Sequence, residues 1–240
     1  MHRPPQTHPR APRLAAHRGA SAHALENSLQ AMHLACSLGA DGAEFDVHAT
    51  ADGGFVVHHD AALPGIGPIA SLPLAEVRRC VLADGSQPPT LTEVLQALPG
   101  LEAWVEVKGL DPRWDADFLR VLQSATTPRL VAVHAFDHRI VARLRTRAPS
   151  LAVGVLQASY PLDPLAALRT VGAAALWQHW ELIDEPLVRG AHALGAEVVA
   201  WTVPLAEVCR LAALGVDVLC VNAPDAARAA LSFPRPSPEI

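Results

Sequence analysis

A short apolar run followed by an amphipathic stretch, repeated along most of the chain, is the feature that most restricts how this sequence can fold. The apolar runs fall at residues 14–17, 43–47, 103–107, 130–133, 151–156, 174–178, 197–202 and 218–222. They lack strict alternation, as expected of parallel strands buried on both faces. Between them, residues 27–38, 90–98, 115–123, 138–147, 185–194 and 205–214 carry apolar side chains three and four apart, the spacing of a helix that packs one face on a core. Gly39, Gly195 and Gly215 follow three of those helices, where glycine adopts a left-handed cap at least cost. Eight such units predict an α/β fold of the TIM (β/α)8 barrel type. The connection between strands two and three is longer than the rest. DGGFVVHHD at 52–60 reads as a hairpin arm and LPGIGPIASLP at 63–73 as a loop inserted over the barrel mouth.

No linker divides the chain, so residues 13–233 are read as one domain, between a basic, proline-broken tail at 1–12 and a short tail at 234–240. Half of the residues are apolar, enough for an extensive core. Net charge is −5 and the domain contains no basic run, which argues against nucleic acid as a partner. No apolar run reaches the roughly 20 residues of a membrane span, so no integral membrane association is expected. Cys36, Cys80, Cys209 and Cys220 show no CxxC pairing and are read as buried, reduced thiols of a cytoplasmic protein. Oligomeric state leaves no mark in the sequence.

A barrel of this kind carries its chemistry at the C-terminal ends of its strands. His17, Glu44, Asp46, Glu106 and Lys108 fall there. Glu44 and Asp46 are two apart on one strand and face the same way; with Glu106 on the next strand they offer three oxygen ligands to one hard cation. Arg18 suits bidentate contact to a phosphoryl group, and Gly19 behind it is expected to let backbone and ligand approach closely. Lys108 is the only lysine beside eighteen arginines, which suggests a place where a compact ammonium is needed. His58 and His59 are adjacent on an extended arm, so only one can face the site, and periodicity does not choose between them. The remaining histidines read as background, His134 and His179 lying nearest to strand ends.

HRG at 17–19, EN at 26–27, GADGAEFDV at 39–47, TADG at 50–53, VVHHD at 56–60, TLTEVL at 90–95 and VEVK at 105–108 occur in this order, followed by AWTV at 200–203 and GVDVLCVNAPD at 215–225. This ordered set resembles the glycerophosphodiester phosphodiesterase family. The resemblance implies a TIM barrel that cleaves glycerophosphodiesters to glycerol 3-phosphate and an alcohol. It implies a divalent cation (Mg2+ or Ca2+, with Mn2+ as a third choice) on Glu44, Asp46 and Glu106, His17 and His59 as base and acid, and phosphate contacts from Arg18 and Lys108. Phe136, Trp177 and Trp201 are expected at the rim. The sequence departs from the family pattern at LPGIGPIA, which lacks the usual arginine and threonine, at Ala135, and at Val221 and Asn222 in place of threonine and aspartate. Two alternatives share this core. A lysophospholipase D or sphingomyelinase D-like activity would want an apolar groove, with Leu63, Ile66, Ile69, Trp177 and Trp180 as its candidates. A non-catalytic phosphodiester-binding barrel would be expected to lack one of the histidines or carboxylates, and none is missing.

Overall fold

The structure, a computed structural model, describes residues 11–232. Most of both expected tails lies outside those residues. In chain order the strands are β1 (Arg13–His17), β2 (Gly42–Ala49), β3 (Phe55–Val57), β4 (Ala62–Leu63), β5 (Gly67–Pro68), β6 (Glu102–Gly109), β7 (Val131–Ala135), β8 (Ala152–Gln157), β9 (Ala175–His179), β10 (Glu197–Trp201) and β11 (Val218–Val221). β1 pairs in parallel with both β2 and β11. The sheet β1-β2-β6-β7-β8-β9-β10-β11 is therefore a closed barrel of eight parallel strands. All eight match the apolar runs read from the sequence to within a few residues.

The helices are α1 (Leu29–Ser37), α2 (Leu74–Val77), α3 (Leu91–Ala97), α4 (Asp115–Gln123), α5 (His138–Arg147), α6 (Ala166–Val171), α7 (Glu185–Ala193), α8 (Val208–Ala213) and α9 (Pro224–Ser232). Their starts are encoded locally. Ser28, Asp137 and Asp184 cap α1, α5 and α7 through side-chain oxygens, and Thr90 with Glu93 forms a capping box on α3. Buried faces of the helices and strands, among them Met32, Phe45, Leu91, Phe118, Leu144, Leu187 and Leu219, build the outer core. A smaller cluster of Ala15, Trp104, Leu156, Trp177, Val199 and Cys220 forms separately on the strands. Among the described residues no helix is long and apolar enough to cross a membrane.

The insertion folds as expected at its start. β3 runs antiparallel to β2, with Val57 opposite Val47, and forms the arm that bears His58 and His59. Beyond it, β4 and β5 form a small hairpin. Leu63 and Ile69 are buried there with Val56, Val77 and Cys80 in a core of the insertion's own. They therefore cannot line the apolar groove expected of them; of the three insertion residues named for it, Ile66 alone is exposed. Two further readings need correction. Cys36 is exposed and Cys209 only half-buried, because α1 and α8 turn those positions away from the core. Residues 205–214 divide into a 3-10 turn, Leu205–Glu207, followed by α8.

Candidate active site

The strand-end residues singled out by the sequence converge. His17 and Arg18 at the end of β1, Glu44 on β2, Glu106 and Lys108 on β6, and His59 on the arm line one cavity at the C-terminal mouth. Asp46 is buried beside them, and its carboxylate meets Lys108 at 2.8 Å. His58 lines a different cavity with Leu25, Glu26 and Cys80. The two adjacent histidines thus point apart, and His59 is the one at the mouth.

β2 and β6 shift register between Val47 and His48, which face Val107 and Gly109. Lys108 is the residue left over, a bulge that re-aims its side chain. Its Nζ reaches Glu106 Oε1 at 2.6 Å as well as Asp46. The other Asp46 oxygen accepts from Asn27 Nδ2 at 2.8 Å and lies 3.2 Å from Arg18 Nε. Arg18 is held in turn by Glu26 at 2.8 Å. Arg18 and Asn27 both have positive φ, 54° and 59°, a costly backbone for side chains other than glycine's. Gly19 behaves differently from expectation. What fills the space of its missing Cβ is the backbone of Ala31 in α1, which a Cβ would meet at 2.6 Å; the glycine serves helix packing, and the ligand approach inferred for it is not what the space is used for.

Three carboxylates buried together cannot all be ionised without compensation. Asp46 has it: burial alone would raise its pKa, but Lys108, Arg18 and Asn27 outweigh that and lower it. Glu106 is raised by burial and by Asp46 despite Lys108. Glu44 is raised well above the ordinary carboxylate range by burial and by the two other carboxylates. Among the described residues no lysine or arginine side chain forms an ion pair with Glu44; it accepts the Arg18 backbone N–H at 3.1 Å and faces His17 Nε2 at 3.9 Å and His134 Nε2 at 4.0 Å. An excess of buried carboxylate oxygen beside a cavity is the donor set that fits a divalent cation.

His17 Nδ1 bonds Asn222 Oδ1 at 2.8 Å, leaving Nε2 on the side of Glu44. Burial, then the Arg18 charge, lowers its pKa, so its imidazole is neutral at pH 7. His59 Nδ1 meets Asp60 Oδ1 at 2.8 Å. The backbone carbonyl of His59 is bonded by His48 Nε2 at 3.1 Å, which ties the arm to β2.

Three expected rim residues divide. Phe136 is 48% exposed and stands edge-on to Trp201, with ring centroids 5.7 Å apart. Trp177 is only 3% exposed and lies in the cavity floor, stacked on His134 with centroids 3.8 Å apart. Its place is below the rim because Gly154 leaves room for the indole, which a Cβ there would meet at 2.8 Å. Sequence reasoning passed over His134, one of twelve histidines; its only signal was its place two residues before Phe136 at a strand end. Asn27 was quoted within a motif and given no role.

The profile of the glycerophosphoryl diester phosphodiesterase family matches residues 17–226. The chain belongs to that family. A glycerophosphodiester phosphodiesterase of Caldanaerobacter subterraneus subsp. tengcongensis is 28% identical over 227 residues, covering 88% of this chain and 93% of the relative. One from Arabidopsis thaliana is 29% identical over 238 residues, covering 89% and 71%. Among solved structures, an Oleispira antarctica phosphodiesterase in complex with the product sn-glycerol-3-phosphate superposes with a TM-score of 0.84 at 25% identity, covering 93% of this chain and 98% of that one. The family match takes in the whole mouth: every cavity residue from His17 to Cys220 falls within it.

Proposed function

We propose that this family member hydrolyses glycerophosphodiesters to glycerol 3-phosphate and an alcohol, with a divalent cation held by Glu44, Asp46 and Glu106. The observation that carries this reading is the meeting of surplus buried carboxylates, one neutral histidine and a second histidine on a separate arm around a single cavity. The relatives named above support the substrate class.

When bound, the cation supplies Lewis-acid polarisation of the phosphoryl oxygens. The chain supplies the rest. Arg18 and Lys108 hold phosphoryl oxygens and stabilise charge that develops on them. His17 Nε2 accepts the proton of the attacking hydroxyl, from water directly or from the 2-hydroxyl of the glycerol moiety; on the second route a water then opens the cyclic phosphate and restores the 2-hydroxyl. His59 gives a proton to the departing alkoxide, so the P–O bond to the alcohol breaks without releasing a free alkoxide. Phe136 and Trp201 give the carbon skeleton an apolar wall. The four free cysteines suit a reducing compartment, and we place the reaction in the cytoplasm.

The test is a panel of glycerophosphodiesters assayed for alcohol release by metal-stripped protein, with and without added magnesium, calcium or manganese. Release that needs added metal and is lost in Glu44→Gln supports the reading. Full activity of stripped protein in excess EDTA overturns the metal assignment, and no release from any diester under any metal overturns the activity.

A further inference from the structure

His134 has no part in the chemistry described so far, yet it faces the same carboxylates. One donor atom from each of Glu44, Glu106 and His134 can be chosen so that all three lie within 4.8 Å of one another. Donors on opposite sides of one ion stand about 4.2 Å apart when bonds are about 2.1 Å, and about 5 Å apart for calcium. A set within 4.8 Å spans one ion, and a smaller ion needs the side chains to close by about half an ångström. All three side chains are buried. Asp46 Oδ2 is taken up by Asn27 and Arg18, but its Oδ1 meets Lys108 alone and keeps a lone-pair site with which it can join the same ion.

The ring is positioned by shape. Trp177 lies flat against it, 6° from parallel, in the space that Gly154 leaves open. That stack, rather than a bond from Nδ1, fixes its orientation; Nδ1 is buried without a partner. Nε2 faces Glu44 Oε1 at 4.0 Å, beyond hydrogen-bond reach. A neutral imidazole aimed at two carboxylates, with neither nitrogen otherwise engaged, is short of a partner that accepts a lone pair.

We propose that His134 is a nitrogen ligand of the divalent cation, so that the site binds manganese-like transition ions in preference to magnesium and calcium. This rests on the metal reading given above and adds to it a fourth ligand and an ion class. The chemistry follows from ligand type: magnesium and calcium take oxygen almost exclusively, whereas imidazole suits first-row transition ions. The residue is supplied by β7, which neighbours β6 and so stands beside Glu106 on the same arc of the barrel as Glu44.

The experiment measures binding, not turnover. Metal-stripped full-length protein is titrated calorimetrically with Mn2+, Mg2+ and Ca2+, and the visible spectrum of its Co2+ form is recorded, for the wild type, His134→Gln and Gly154→Ala. Expected is tighter Mn2+ than Ca2+ binding by the wild type, a fall in that preference of about tenfold or more in His134→Gln, and an altered Co2+ spectrum. Gly154→Ala keeps the imidazole but crowds Trp177 against it, so it should lose part of the preference, which also covers the case of a His134 variant that fails to fold. Unchanged Mn2+ affinity and an unchanged Co2+ spectrum in His134→Gln overturn the proposal and leave the carboxylate site standing. Absence of binding of any of the four ions to wild-type protein overturns the metal reading itself.

Discussion

The backbone N–H of Asn27 donates to the carbonyl of Arg18 at 2.9 Å, and both residues are left-handed. The Asn27 side chain then closes on Asp46 from two sides, its Nδ2 donating to Oδ2 and its Oδ1 accepting the Asp46 backbone N–H at 3.2 Å. Two strained residues thus fix the orientation of a buried carboxylate.

Replacing Asn27 separates the parts of that arrangement. Asn27→Ala loses both side-chain bonds and leaves a left-handed alanine, a combined cost of about 3 kcal/mol. Asn27→Gly loses the bonds but relieves the backbone, and should recover about 1 kcal/mol of that. Urea denaturation of the two variants measures the difference; equal stabilities would show that the left-handed backbone at 27 carries no strain.

A pH profile reports on His17. Its pKa is lowered by burial and by Arg18, so the neutral base persists below the ordinary value of about 6.5, and the acid limb of kcat/KM should lie below that pH. Asn222→Asp places a carboxylate on Nδ1 and favours the imidazolium. The acid limb should then move upward by on the order of one pH unit. A limb that stays in place would mean that another group governs it.

Adjacent histidines give a sharp contrast. His59→Ala should lower kcat on the order of 10²-fold or more, whereas His58→Ala, whose side chain lines the neighbouring cavity, should lose far less. Steady-state kinetics of the pair decide; the reverse order would exchange the roles.

Lys108 should resist conservative replacement. Its ammonium bridges Asp46 and Glu106 from a bulge, and the planar, longer guanidinium of Lys108→Arg cannot occupy the same space. We expect kcat/KM, measured at saturating metal, to fall in Lys108→Arg nearly as far as in Lys108→Met. Wild-type activity in the arginine variant would show that any cation suffices.

The barrel was legible because its strands are local events: each apolar run announces itself within a few residues, as at 103–107 inside β6. The strand-end residues followed from that frame, so His17, Glu44, Glu106 and Lys108 could be placed at one cavity, whereas His59 was separated from His58 only by the family resemblance. What stayed hidden depends on contacts between distant segments. Asn27 matters through Asp46, and Gly154 through Trp177, which it lets down to the level of His134. Leu63 and Ile69 read as a surface groove because nothing local shows that Val56 and Val77 would cover them.

The cavity is built from two arcs. Its charged and titrating wall is carried by β1, β2, β6, β7 and the arm, while Phe136, Leu156, Trp177 and Trp201 come from the end of β7 and from β8, β9 and β10. The staves are consecutive in the barrel, so each arc is a continuous piece of wall. For protein engineering the two arcs are separate handles. A library confined to 136, 156 and 201 varies the surface on which the carbon skeleton rests without altering any ionisable group of the opposite wall, and new substrate scope can be sought there while the reacting half is left untouched.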